Sequence, residues 1–187
     1  MRRYQVDFPH AVHVARLSLQ LYNPLMALLD CPLDNLWREC LETAALLHDA
    51  GYFVNQKGHH RHSRYLIRHA EETQYWEPST RECIAELAYY HRKALPAKKL
   101  RELSKNPTWM ALAAILRIAD GLDRCHCQKV TVQHIKISSH TVELIVTGLQ
   151  REPWDHVLRI KSQGFQEAFH RQFLIRDPTL TNFPLRV

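Results

Sequence analysis

Hydrophobic residues recur every three to four positions over the first two thirds of the chain, which predicts a series of amphipathic helices. The first runs from about residue 8 to 29, with an apolar face formed by Val14, Leu17, Leu21 and Leu25. The same spacing predicts helices at about 36–50, 60–72, 80–92 and 107–124. Three of these follow typical helix-start signals, namely Asp34, Ser79 with Glu82, and Asn106 with Pro107. The helix at about 36–50 is apolar nearly all round, so we expect it to be central.

The period changes after Cys127. Alternating apolar residues predict strands at about 130–137 and 142–146, joined by a hairpin turn at Ser138–His140. A third strand at about 156–160, a short helix at 163–172 and a final strand at 173–175 complete the prediction. The expected fold class is therefore mainly α (α+β), with a helical domain at 1–127 and a small antiparallel β-rich subdomain at 128–187 packed on it.

The composition fits one globular domain, with or without a small appendage, since 45% of the 187 residues are hydrophobic. No apolar run approaches the roughly 20 residues that span a bilayer, and the N-terminus lacks the apolar core of a signal peptide. Five irregularly spaced cysteines do not predict a disulfide framework. We expect a cytoplasmic protein without membrane contact, and a homodimer is one expected state.

The formal net charge is +6, and the 13 histidines can add more positive charge at low pH. A basic protein favours anionic ligands, although many single lysines and arginines only solvate a surface. We expect the partner to be a phosphate-containing small molecule or polyphosphate, without specific nucleic-acid binding.

Several residues suited to metals fall on the apolar faces of the predicted helices. His10 shares the face of Val14, whereas His13 lies on the polar face. By the same register the His48-Asp49 pair, His91 and Asp120 point inward. A buried carboxylate needs a cation or strong donors, so a metal shared by His10, His48, Asp49 and Asp120 would satisfy Asp120. The alternatives are hydrogen-bonded core histidines, and pairing of Asp120 with Arg117 or Arg124.

A second concentration of histidines, His59-His60-Arg61-His62, begins a predicted helix. With His91, His60 and His62 could hold a second metal ion, the arrangement that many phosphate-cleaving enzymes use. Alternatively, these histidines and Arg61 bind phosphate at the helix N-terminus, or they form a surface cluster. The Cys125-His126-Cys127 run is a poor match to zinc sites because no second cysteine pair accompanies it.

Arg92 and Lys93 directly follow His91. Their position beside a candidate ligand makes them candidate phosphate clamps. Together with Arg61 and Arg124 they form the predicted phosphate-binding set.

Three short patterns resemble those of the HD-domain metal-dependent phosphohydrolases: His10-x-x-x-Val14-Ala15, Leu46-Leu47-His48-Asp49, and Ala119-Asp120. Four longer stretches are similar to the C-terminal half of the exopolyphosphatase / guanosine pentaphosphate phosphohydrolase family. These are AALLHDAGYF at 44–53, GHHRHSRYLI at 58–67, YHRKALP at 90–96 and ILRIADGLDR at 115–124. The resemblance covers most of the chain and implies an HD-type helical bundle.

In that family an actin-like ATPase-fold region precedes this part and carries the polyphosphatase active site. The present sequence lacks it, so exopolyphosphatase activity by that route is not expected. The resemblance implies a free-standing module, which in the family helps to bind the polyphosphate chain.

Three hypotheses follow. In the first, one or two divalent ions (Mn, Fe, Ni, Co, Zn or Mg) activate water for attack on a nucleotide, alarmone or polyphosphate, with His48 and Asp49 as catalytic residues. In the second, the chain is a non-catalytic polyphosphate- or nucleotide-binding regulatory module. In the third it is a scaffold that binds no metal.

Overall fold

Helices occupy most of the chain before residue 123 in this computed structural model, which describes residues 2–29, 34–149, 159–180 and 185–186. They are α1 (Phe8–Met26), α2 (Asn35–Leu47), α3 (His59–His69), α4 (Pro78–Tyr90), α5 (Ala97–Leu103) and α6 (Pro107–Leu122). Short 3-10 turns lie at Arg2–Tyr4, Ala50–Phe53 and Glu71–Thr73. The five predicted helices are confirmed, and α5 is an addition between the helices predicted at about 80–92 and 107–124.

Side-chain caps explain where these helices begin. Asp34 accepts a hydrogen bond from the Leu36 amide at 2.9 Å, and Asn106 accepts one from the Trp109 amide at 3.1 Å, as their residue types predict. The expected Ser79 cap of α4 is wrong. Glu77 caps the helix instead and accepts from the Ser79 amide at 2.7 Å, because Pro78 already occupies the first helical position.

A four-stranded sheet follows the helices, in the order β1 (Thr131–Ile137), β2 (Thr141–Thr147), β3 (Gln172–Arg176) and β4 (Leu185–Arg186). The predicted β1–β2 hairpin is confirmed, with the Ser138 amide donating to the Thr141 carbonyl at 2.9 Å. The expectation of a purely antiparallel sheet needs correction, since β2 and β3 are parallel. Such a pairing needs a long crossover, and helix α7 (Phe165–Phe169) lies within it.

The strand predicted at about 156–160 falls partly outside the described residues. Its end is helical, because residues 159–161 form a helical turn. This difference matters for the site described below, since Lys161 enters it from that turn.

Helix α6 is central to the core, with nearly every side chain buried. This differs from the expectation that the second helix would be the central one. The buried apolar residues of the helices and of the sheet form a single cluster, and the domain boundary at 127/128 stays a prediction. Among the described residues, no helix has the length and apolar character that crossing a membrane requires.

Arg117 is a fully buried cation on α6. Its guanidinium donates to the backbone carbonyls of Tyr90 at 2.7 Å, Lys93 at 2.9 Å and Lys161 at 3.1 Å, and also to that of Ile160. Burial lowers the pKa of Arg117 to about 10. Arg117 thus ties the segment after α4 to the turn at 159–161, and both segments contribute to the candidate site.

Candidate metal and phosphate site

Two histidines at helix ends are held in the same way. His48 directly follows α2, and His91 directly follows α4. The Nδ1 of His48 donates to the Ala45 carbonyl at 2.7 Å, and that of His91 donates to the Ala88 carbonyl at 2.6 Å. A carbonyl can only accept, so each ring carries its proton on Nδ1. In the neutral form of each ring, Nε2 therefore holds the lone pair that a cation can bind, the arrangement typical of metal-binding histidines.

His10 is oriented by a carboxylate in a similar manner. Its Nδ1 lies 2.8 Å from the Asp123 Oδ2, and both side chains are buried. Asp123 follows the last turn of α6, and the Gln128 amide donates to its other oxygen at 2.8 Å. His10 therefore also presents its Nε2 toward the centre of the bundle.

Asp49 lies among four imidazoles. Its Oδ1 is 3.1 Å from the Nε2 of His59 and 3.4 Å from that of His91. Its Oδ2 is 3.4 Å from the Nε2 of His48 and 4.0 Å from that of His10. A single carboxylate thus connects histidines from four different segments of the chain.

Asp120 lies on α6 and completes a candidate metal centre, which it forms with Asp49 and the four surrounding histidines. Its Oδ1 lies 3.8 Å from the His10 Nε2 and 3.9 Å from the His48 Nε2. Its Oδ2 accepts a hydrogen bond from the Lys161 ammonium group, which also donates to the His91 carbonyl at 2.9 Å. The inward direction predicted for Asp120 is confirmed. Its described ion-pair partner is Lys161, since Arg117 is directed toward backbone carbonyls.

The charges of this centre depend strongly on one another. Burial opposes protonation of His48, but the nearby Asp49 carboxylate outweighs it and raises the pKa of His48 to about 9. Burial alone would raise the pKa of Asp49, yet the imidazoles, His48 foremost, hold it far below its usual range. For His91 burial prevails and lowers its pKa to about 4. The centre therefore favours positive charge beside Asp49.

These residues fit a divalent metal ion. The Nε2 atoms of His10 and His48 are buried without a hydrogen-bond partner among the described residues. Two overlapping sets, one of His10, His48 and Asp120 and the other of His48, Asp49 and His91, place one donor atom per residue within 4.8 Å of each other. Buried nitrogen atoms without a hydrogen-bond partner are rare in folded proteins, and a bound cation would satisfy them. Imidazole together with carboxylate suits Mn, Fe, Co, Ni or Zn.

Helix α3 contributes His59 rather than the two histidines chosen from sequence. All three histidines lie outside the described donor clusters, but the His59 Nε2 is 3.1 Å from the Asp49 Oδ1. His59 is the first residue of α3 and faces Asp49, whereas each further residue turns about 100° around the helix axis. His60 consequently lines a neighbouring cavity, and His62 is half-buried beside Gly51. The structure gives no support to the predicted ligand role of His60 and His62.

Gly51 allows α3 to approach this closely. A Cβ at this position would lie 2.0 Å from the His59 carbonyl oxygen and 2.4 Å from the Ser63 amide nitrogen. In the wild-type chain the Gly51 amide donates to the Ser63 Oγ at 2.9 Å, and that hydroxyl donates to the His48 carbonyl at 2.6 Å. Gly51 and Ser63 therefore fix His59 against the His48-Asp49 pair.

Cations border the opening of the centre. A small cavity of about 60 Å³ lies over Asp49 and is lined by Arg92, Arg124 and His126 among others. The Nη1 of Arg92 is 3.3 Å from the Nδ1 of His59. The other two predicted phosphate-binding residues, Arg61 and Lys93, line the adjacent cavity, together with Arg92.

A short loop after α6 covers part of this opening. The His126 ring stacks on His10 with centroids 3.7 Å apart, and its Nδ1 lies 2.8 Å from the Asp7 Oδ2. The structure joins Cys125 and Cys127 by a disulfide. Cys40 and Cys83 are free and buried.

Sequence reasoning missed three residues of this site. Asp123 was detectable, since it lies three positions after Asp120, directly beyond the end of α6. Nothing in the local pattern of Lys161 indicated a buried ammonium group. His59 was part of the histidine run considered for metal or phosphate binding, but it was not among the predicted ligands.

Comparison with protein families assigns the chain to a family. The family model described as Ppx/GppA phosphatase, domain III matches residues 1–162. The matched range extends over every residue of the centre, from His10 to Lys161, and covers most of the 187 residues. The chain belongs to the Ppx/GppA phosphatase domain III family.

Proposed function

We propose that the chain is a metal-dependent phosphohydrolase that acts on a nucleotide, alarmone or polyphosphate-type substrate. The observation that carries this proposal is the convergence of unpaired imidazole nitrogens on the Asp49 and Asp120 carboxylates. Histidines whose Nδ1 atoms are fixed by carbonyls or a carboxylate are pre-organised for a cation. A purely structural cluster would pair these nitrogens with hydrogen-bond partners.

A divalent metal supplies Lewis-acid activation of water and of a phosphoryl oxygen when it is bound. His10, His48, Asp49 and Asp120 would hold the metal, and His59 and His91 would contact the Oδ1 of Asp49. Arg92 and Arg124 border the opening, where they can neutralise phosphate oxygens of a substrate. Burial of the histidines keeps bulk water away from the donor atoms.

A second candidate function is the non-catalytic binding module. Two observations favour it: Lys161 already neutralises one oxygen of Asp120, and cations line a second cavity. Further positive charge lies on α5, where Lys98 and Arg101 are exposed. Such a module would bind polyphosphate or a nucleotide with strong salt dependence and without turnover.

Elemental analysis of the purified protein, followed by a phosphate-release screen over nucleotides and polyphosphates, separates the candidates. In the enzyme, His48→Ala and Asp49→Ala each abolish both metal content and phosphate release, whereas the exposed His69→Ala on α3 changes neither. Metal-dependent turnover that survives both substitutions contradicts the proposal. Tight binding without turnover, sensitive to Lys98→Ala and Arg101→Ala, supports the binding module.

A further inference from the structure

A second cavity of about 230 Å³ lies beside the metal site, between the start of α3 and the segment after α4. Part of its wall is apolar and aromatic, formed by Tyr89, Tyr90, Leu95 and Pro96. The rest is basic, formed by Arg61, Arg92, Lys93 and Lys99. Apolar walls with a few polar groups are typical of small-molecule sites. Because the cavity is smaller than a drug-sized pocket, it suits one flat ring system.

His60 contributes a buried ring nitrogen without a described hydrogen-bond partner to the wall of this cavity. Its side chain lines the cavity and is 93% buried, since its exposed fraction is 7%. Its Nδ1 has no hydrogen-bond partner among the residues that the structure describes. A buried polar nitrogen without a partner is unusual in a folded protein and costs stability. A ligand that offers a hydrogen-bonding edge at this position would satisfy it.

Arg92 connects the two cavities. It lines the second cavity and also the small cavity over Asp49, where its Nη1 lies 3.3 Å from the His59 Nδ1. A ligand with its phosphates beside Arg92 could therefore reach the metal centre with one end and the aromatic cavity with the other. Phosphate itself suits the apolar wall poorly, because dehydrating an anion against carbon is unfavourable.

We propose that this cavity binds the nucleobase of the substrate, which makes the preferred substrate a nucleotide rather than a linear polyphosphate. In this arrangement His60 hydrogen-bonds to an edge atom of the base, and Arg92 and Lys93 bind the phosphates between the base and the metal centre. The inference rests on the proposed phosphohydrolase function for the place of the phosphates, but the pocket can be tested by binding alone.

Calorimetry with non-hydrolysable probes tests the pocket. The probes are the α,β-methylene analogues of the four nucleoside diphosphates, and methylenediphosphonate is the control that lacks a nucleoside. We expect at least one nucleoside analogue to bind about tenfold more tightly than methylenediphosphonate. Equal affinity of all five compounds overturns the proposal.

Two substitutions locate the effect. His60→Leu removes the unpaired nitrogen, and Ala94→Trp at an exposed position of the cavity wall fills the space without disturbing the core. Each should reduce the advantage of the nucleoside analogue to about threefold or less, while the affinity for methylenediphosphonate is unchanged. The exposed His69→Leu is the matched control and should change neither affinity. An equal loss for both compounds in Ala94→Trp contradicts a base pocket.

Failure of this proposal differs from failure of the proposed function. Nucleoside-dependent binding without any phosphate release refutes catalysis and leaves the pocket in place. Metal-dependent release from tripolyphosphate and from nucleotides with equal kcat/KM supports catalysis and refutes the pocket.

Discussion

The two oxygens of the Asp120 carboxylate face different partners. One oxygen faces Lys161, and the other faces the imidazoles of His10 and His48. Lys161 donates to Oδ2, whereas Oδ1 lies 3.8 Å from His10 and 3.9 Å from His48. Burial lowers the pKa of Lys161, and the Asp120 charge opposes that effect. The lysine therefore supplies part of the positive charge that this buried carboxylate requires, and a metal ion would supply the rest.

Lys161→Met should therefore make the folded protein depend on metal. Loss of the ammonium group leaves Asp120 without its ion-pair partner, which destabilises the metal-free protein by about 3 kcal/mol. For a chain of this size we expect the melting temperature in chelator to fall by about 6–12 °C. Excess Mn²⁺ should restore most of the loss. Lys136→Met, at an exposed position on β1, is the control, and an equal effect in both variants contradicts the prediction.

Asp123→Asn should weaken metal binding without removing a ligand. Asp123 orients the His10 ring through a hydrogen bond to the His10 Nδ1. Loss of such a partner lowers metal affinity about 10- to 100-fold. The measurement is a Co²⁺ titration followed by absorbance. Asp177→Asn is the matched control, because Asp177 is also buried but bonds to Leu149 and Thr179 in the region of the sheet. Its metal affinity should equal that of the wild type even if its stability falls.

The pH dependence of stability should reverse when metal is added. The pKa of His48 is raised from 6.5 to about 9 in the folded protein, so its contribution is complete below pH 6.5 and is lost as the pH rises through 9. The metal-free protein should lose stability over this range. A metal ion must displace the His48 proton, so its affinity rises with pH up to about 9. Thermal melts in chelator and in Mn²⁺ test both trends, and parallel trends contradict the prediction.

The helical register predicted much of this centre from sequence. His10 precedes the apolar Val14 by four positions, and His48 and Asp120 each follow apolar residues by four and seven positions, which places all three on buried faces. The structure confirms that all three converge. Register works here because each residue lies in or directly after a long helix, where position along the chain fixes direction.

The same reasoning failed where direction depends on tertiary contacts. His59, His60 and His62 are all near the start of α3, and only the close approach at Gly51 decides that His59 faces Asp49. Lys161 belongs to a helical turn at 159–161, whereas the alternation of apolar residues predicted a strand up to about residue 160. Its burial depends on Arg117, which binds the carbonyls of Ile160 and Lys161 from another helix. Such long-range contacts leave no periodic signal.

Arg117→Met should disrupt the site by loosening the two backbone segments that Arg117 holds together. The substitution keeps most of the apolar stem but leaves the carbonyls of Tyr90, Lys93, Ile160 and Lys161 without this donor. Several unpaired buried carbonyls destabilise the protein by about 3 kcal/mol or more. Denaturant unfolding gives the loss. Arg101→Met, at an exposed position on α5, should leave the unfolding midpoint unchanged, and a similar midpoint for Arg117→Met contradicts this support role.

The disulfide between Cys125 and Cys127 should increase the metal affinity of the site, because it holds His126 against His10. It closes the loop that stacks His126 on His10. Reduction by dithiothreitol transfers two electrons and two protons to the cysteines and frees this loop. With His10 less well oriented, we expect Co²⁺ affinity to fall about threefold to tenfold.

The double variant Cys125→Ser/Cys127→Ser isolates that effect, because it retains the buried thiols of Cys40 and Cys83. Its Co²⁺ affinity should match that of the reduced wild type and should not respond to dithiothreitol. His126→Ala should show the same weak affinity in either redox state, since the loop then has no ring to place on His10. If the reductant weakens Co²⁺ binding equally in the double variant, the effect arises elsewhere and the assigned role of the Cys125–Cys127 loop is wrong.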